Sequence, residues 1–187
     1  SHKMSNIANK IVKSKGIIIV YSHYIDGGVV PMALALEEMG FSRYGSAPYT
    51  KSLLAKREPA IEPLDSIDMV TKNNFDGETF RPARYVMITG DKHFSPNNLD
   101  DLKYVTNEDN KNGELVKVIL ITRAAAEGLD FKNVRQVHLM EPWYNMNRTE
   151  QIVGRAVRNL SHCKLPFEER NVEIYYHSTA PIEEHET

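Results

Sequence analysis

The chain has 187 residues, 41% of them hydrophobic and 26% charged, with a formal net charge of −2. That is enough for one well-buried domain, too little for two large ones, and it excludes a whole-chain basic signature for nucleic acid, so any such binding needs a local patch. Cys163 is the only cysteine, which excludes an internal disulfide and a cysteine-based zinc site and points to an intracellular, reducing setting.

In chain order, "SNIANKIVKSKG" (5–16) predicts a short helix capped by Ser5, striped by Ile7, Ile11 and Val12 and ended by Gly16. The opening "SHKM" reads as a cloning scar ahead of an internal start, hence as a fragment of something longer. "IIIVYS" (17–22) is a continuous β-branched run, as expected of a strand buried on both faces. "GGVVPMALALEEMGF" predicts a helix with Pro31 in its first turn and Gly40 as its stop. Residues 42–83 carry four prolines and little periodicity, and read as an irregular insertion within a single domain of residues 1–187. Further strands are predicted at "RYVMIT" (84–89), "ELVKVILIT" (114–122), "NVRQVHLME" (133–141) and "NVEIYYHS" (171–178). "SPNNLDDLKYVTN" (95–107) predicts a helix with Ser95 as N-cap and Pro96 first inside it.

Strands alternating with helices imply an α/β fold, a mainly parallel central sheet covered on both faces. Ligands of such sheets bind outside the carboxyl ends of the strands. There the chain has Ser22, "TGD" (89–91), "TRAAAEGLD" (122–130) and "EPWYN" (141–145). Trp143 and Tyr144 have the chemistry to stack a base, although an aromatic pair after a strand is more often packing. The seven histidines have no metal-ligand spacing.

"TEQIVGRAVRN" (149–159) falls within a predicted helix over 148–159. At about 100° per residue, Arg148, Gln151, Arg155 and Arg158 share one face, with Gly154 at its edge. Ile152, Val153, Ala156, Val157 and Leu160 take the opposite arc. The spacing also describes an ordinary amphipathic helix with a solvated basic face. It does not explain Gly154, because glycine inside a helix costs about 1 kcal/mol relative to alanine. A close neighbour at that point explains it. Two arginines one turn apart form a fork for phosphate oxygens.

"QIVGRAVR" (151–158) resembles motif VI, Q-x-x-G-R-x-x-R, of superfamily 2 helicases. "ILITRAAAEGLDF" (119–131) resembles their motif V, "GIIIVYS" (16–22) their motif IV, and "YVMITGD" (85–91) the strand ending in Gly-Asp between them. All occur in the family's order. The tail "GRAVRNLSHCKLPFEERNVEIYYH" is similar to the helicase-like ATPases of nucleocytoplasmic large DNA viruses, such as the poxvirus-type early transcription factor subunit and nucleoside triphosphate phosphohydrolase.

The resemblance implies a RecA-like domain in which Arg155 and Arg158 face the γ-phosphate of a nucleotide. It implies that Gly128, Asp130 and Gln151 lie on the nucleotide side, and that Ser22, Thr89, Gly90 and Thr122 contact nucleic-acid phosphates. Glu127 stands where the family often has arginine, which leaves that arginine's role unfilled. The P-loop and the acidic magnesium motif of a complete motor are missing. The chain is therefore expected to be the second, C-terminal lobe, inactive alone, with ATP and Mg2+ bound mainly by an N-terminal RecA-like lobe. Expected partners are that lobe, single-stranded or duplex RNA or DNA, and transcription machinery. No membrane is expected; a virion or the host cytoplasm is the expected place. The rival reading is a non-catalytic binding module of a viral transcription complex, with residues 42–83 docking a partner.

Overall fold

The computed structural model describes residues 2–45, 51–54, 60–95, 98–123, 129–142 and 146–179. The elements introduced here are α1 (His2–Lys13), β1 (Ile17–Ser22), α2 (Val30–Met39), β2 (Ser42–Arg43) and β3 (Arg84–Ile88). They continue with α3 (Asn98–Val105), β4 (Val118–Thr122), β5 (Val134–Leu139), α4 (Met146–Ala156) and β6 (Glu173–Tyr176). The strands form one six-stranded sheet in the order β2-β3-β4-β1-β5-β6, and every pairing in it is parallel.

Burial follows the two-residue period of the strands. Ile17, Ile19 and Tyr21 of β1 join Val86, Ile88, Ile119 and Ile121 in one core, closed by Val105 of α3 and by Ile152 and Ala156 of α4. The alternate residues Ile18 and Val20 join Tyr85, Met87, Val118 and Leu120 in a second core. That core is closed by Ile7 and Ile11 of α1 and by Met32, Ala33 and Leu36 of α2. All six residues of β1 are buried, which is why its sequence is unbroken apolar rather than alternating.

Several element boundaries differ from the sequence expectation. The first helix begins at His2, so Ser5 lies inside it rather than capping it. Residues 96–97, on which the expected cap of α3 by Ser95 depends, lie outside the described residues. The Ser95 Oγ accepts the Thr89 N–H at 2.9 Å. The third long strand starts at Val118 rather than Glu114 because Asn110 captures the residues before it. The Asn110 Oδ1 accepts the N–H groups of Leu115 and Val116, both at 2.8 Å. Its Nδ2 donates to Val105 O and Val116 O. A buried carboxamide thus satisfies a turn that the apolar run alone reads as strand.

The described part of 42–83 is irregular but well attached. Ser42 and Arg43 add the edge strand beside β3. Leu64 and Met69 are buried in the second core. Asp65 accepts the N–H groups of Ile67, Asp68 and Arg81, and these bonds hold its carboxyl below the ordinary range although burial alone raises it. The fully buried Lys117 donates to Ser14 O at 3.2 Å and Ser66 O at 2.9 Å, joining the segment to the turn before β1. Burial pushes the Lys117 ammonium down to about 8, with Asp65 opposing. Among the described residues no helix is long and apolar enough to cross a membrane.

Candidate nucleotide and nucleic-acid edge

The parallel strands deliver their carboxyl ends to one rim. Ser22 pairs in register with Thr122, and the Thr122 hydroxyl donates to Thr89 O at 2.6 Å. The Thr89 hydroxyl lies 2.8 Å from Ser95 Oγ. Gly90 follows with φ of +76°, a left-handed value that favours glycine. The structure therefore brings Ser22, Thr89, Gly90 and Thr122 to one edge. The three hydroxyl residues are buried, and their oxygens are engaged within the protein.

Helix α4 lies over the first core by Ile152 and Ala156. It ends at Ala156, two residues short of Arg158. The expected apolar arc fails at its far end, where Val157 is 47% and Leu160 75% exposed. The chain turns there instead: the Ser161 N–H donates to Arg158 O at 3.0 Å, and Leu160 takes φ of +62°.

The two arginines meet the segment that follows β4. Arg155 Nη1 donates to Leu129 O at 3.0 Å. Arg158 Nη1 lies 2.7 Å from Asp130 Oδ1 and 2.8 Å from Oδ2, and both side chains of that pair are 56% exposed. Gln151 is exposed on the same helix. Gly128, Trp143 and Tyr144 lie outside the described residues. A side chain added at Gly154 meets nothing within 4 Å, so no group described in this chain accounts for the glycine. Among the described residues no group of three histidine, cysteine or acidic side chains could hold a metal ion.

A second cluster stands on the rim at β1. Glu141 Oε1 accepts the Ser22 hydroxyl at 2.9 Å and its Oε2 accepts the His23 N–H at 3.0 Å. The Tyr24 N–H donates to Ser22 Oγ at 3.1 Å. A Cβ at Gly28 would stand 1.8 Å from that Oγ, so the second glycine of "DGG" is demanded by the serine. Burial pushes the Tyr21 hydroxyl up to about 12; Arg123 opposes this and Glu141 adds to it. Burial also pushes His23 below its ordinary value, helped by Arg123 and Arg148 and opposed by Glu141. Sequence reasoning saw Ser22 and passed over its partner, because 119 residues separate Ser22 from Glu141. The double glycine was the available signal.

This all-parallel sheet, with helices on both faces and an arginine-bearing helix beside its carboxyl rim, is the RecA-like α/β fold. Residues 81–160, from the approach to β3 to just past α4, match the helicase conserved C-terminal domain, a stretch that includes Asp130, Arg155 and Arg158. Over 94% of its length it is 31% identical to a protein of Acanthamoeba polyphaga mimivirus named as an ATP-dependent RNA helicase, of which it covers 25%. It is likewise 31% identical, over 94% of its length and 25% of the relative, to a termination factor NPH-I homolog of African swine fever virus. Over 41% of the chain and 12% of the relative, it is 32% identical to nucleoside triphosphatase I of Choristoneura fumiferana entomopoxvirus. The chain spans about a quarter of the length of the first two relatives.

Proposed function

We propose that this chain is the second lobe of an ATP-dependent nucleic-acid helicase or translocase of viral, transcription-linked type. The names of the viral relatives support the class. The observation that carries the reading is the placement of the two arginines: Arg155 and Arg158 stand beside Asp130 at the rim, and the helix surface at Gly154 is open. That open surface leaves room for an opposing lobe to approach the helix. On closure a triphosphate held by the first lobe meets two guanidinium groups already oriented by Leu129 and Asp130.

Their task is electrostatic. Charge spreads over the oxygens of a γ-phosphoryl group in transfer, and a preoriented guanidinium stabilises it without reorganising at the moment of reaction. Asp130 holds Arg158 until the phosphate competes for it; Gly128, Asp130 and Gln151 complete the nucleotide side. Mg2+ supplies charge neutralisation on the phosphates when bound. The acidic motif expected of the first lobe would hold that ion. ATP binding closes the two lobes and hydrolysis releases them, a two-state hinge biased by nucleotide contacts. Ser22, Thr89, Gly90 and Thr122 shape the rim that grips the phosphate backbone.

The test is Arg155→Ala and Arg158→Ala in the protein that includes the first lobe. Nucleic-acid-stimulated ATP hydrolysis falls by on the order of 10³-fold or more for a finger arginine. Near-normal hydrolysis in both variants overturns the assignment.

A further inference from the structure

We infer that Tyr24, backed by His23, is a stacking platform for an unpaired base of a single-stranded nucleic acid crossing the rim between Ser22 and Thr122. The inference rests on the second-lobe reading and adds to it a contact with the base rather than with the phosphate.

Three observations carry it. Tyr24 is 58% exposed, whereas the strand tyrosines Tyr21 and Tyr85 are buried. Its ring meets His23 only edge-on, with centroids 6.4 Å apart and planes at 67°, which leaves its π-faces free of that neighbour. Tyr175 makes the contrast: His138 stacks on it at 4.9 Å and the Lys10 ammonium lies 4.1 Å over the ring.

The backbone beneath Tyr24 is held from several sides. Its N–H donates to Ser22 Oγ, its carbonyl accepts the Val29 N–H at 3.0 Å, and the turn before it is clamped by Glu141 at both Ser22 and His23. Gly28 lets the chain pass over the Ser22 hydroxyl. A rigid exposed aromatic loses little entropy on binding, which is what a platform needs.

The surroundings select a nucleic-acid strand over a protein partner. Arg123 is exposed and directly follows Thr122, the register partner of Ser22. A guanidinium for the phosphate beside a bare aromatic face for the base is the combination that holds single strands without reading sequence. The edge-to-face contacts of His23 with both Tyr21 and Tyr24 brace the platform.

The experiment uses the protein with both lobes and two labelled single-stranded oligonucleotides, one fully based and one carrying abasic sites along the same backbone. Binding of each is measured by fluorescence anisotropy. Tyr24→Ala lowers the preference for the based strand over the abasic one by about 5- to 150-fold, the range of a lost base–aromatic stack. Tyr24→Trp retains the preference, which separates stacking from folding. If Tyr24→Ala keeps the wild-type preference, there is no platform, and equal loss on both strands assigns the residue to some other contact. Arg155→Ala is assayed alongside for ATP hydrolysis. Loss of hydrolysis there with an unchanged Tyr24 preference overturns the platform alone; full hydrolysis overturns the second-lobe reading itself.

Discussion

Arg158 and Asp130 join the end of α4 to the segment after β4 by a two-oxygen contact at 2.7 and 2.8 Å, in a pair whose side chains are both 56% exposed. So exposed a pair contributes no more than about 1 kcal/mol to folding. Its value lies in orientation: one carboxylate fixes the direction of a guanidinium that would otherwise sweep through solvent. Asp130→Asn is therefore expected to leave the unfolding midpoint nearly unchanged. ATP hydrolysis by the protein with both lobes falls by about 10-fold or more, the scale of a lost hydrogen bond to a charged group. Denaturation and turnover measured on the same preparation check this, and a loss of stability without a loss of turnover makes the pair merely structural.

Gly154 offers a cleaner separation of folding from function. Among the described residues nothing stands within 4 Å of a Cβ placed there, and alanine is the better helix former by about 1 kcal/mol. Gly154→Ala should stabilise the isolated lobe by up to that amount. On the two-lobe reading proposed above, the added methyl enters the closing interface. A misplacement of about 1 Å there costs on the order of 100-fold in rate. A variant that is both more stable and fully active shows that no neighbour approaches Gly154.

What was legible in the sequence depended on range. β1 was readable because both its faces are buried, and α2 because Pro31 opens it and Gly40, at φ of +107°, closes it. Helical period grouped Gln151 with Arg155 on α4, whereas Arg158 lies two residues past the end of that helix. Val157 and Leu160 fit the same period and are nonetheless exposed, because the helix stops before them. β2, two residues long, has no pattern of its own and exists only as an edge beside β3. The partners of the site residues were illegible for a common reason. Arg158 meets Asp130 across 28 positions and Ser22 meets Glu141 across 119, and parallel strands bring such residues together through topology rather than local spacing.

The pair His138 and His177 gives the fold its first acid sensitivity. His138 Nδ1 lies 3.0 Å from His177 Nε2, and its Nε2 lies 3.1 Å from Gln136 Oε1. Burial pushes His138 down to about 3, with His177 and Lys10 adding to it. Burial lowers His177 as well, with Lys10 and Lys3 adding. Both are neutral when folded, while the unfolded chain takes up protons near 6.5. Stability is thus fully present above pH 6.5 and declines as pH falls toward the depressed folded values, by at most about 1.4 kcal/mol per pH unit for each histidine. Urea unfolding from pH 7 to 5 should show the slope, and His138→Gln with His177→Gln should flatten it. An unchanged slope in the double variant removes these residues as the cause.

Glu37 governs a lower window and a different part of the molecule. This buried carboxylate accepts the Tyr85 hydroxyl at 2.7 Å, the Leu53 and Leu54 N–H groups at 3.0 Å each, and the Ser52 hydroxyl, so it ties residues 52–54 to α2 and β3. Burial alone raises its pKa, but these hydrogen bonds outweigh burial and set it below the ordinary 4.5. Its contribution is present above pH 4.5 and is lost as pH falls through the lower folded value, a window that opens below the onset of the histidine decline and overlaps its lower part. Glu37→Gln keeps one acceptor oxygen and turns an N–H2 toward donors, leaving at least one buried donor unpaired. The expected cost is about 1–3 kcal/mol at pH 7, read by urea unfolding. Cleavage near residues 51–54 should speed up in limited proteolysis, and the part of the acid limb below pH 4.5 should flatten. A variant that loses stability while its 51–54 segment stays as resistant as wild type would show that Glu37 serves α2 and Tyr85 rather than anchoring the insertion.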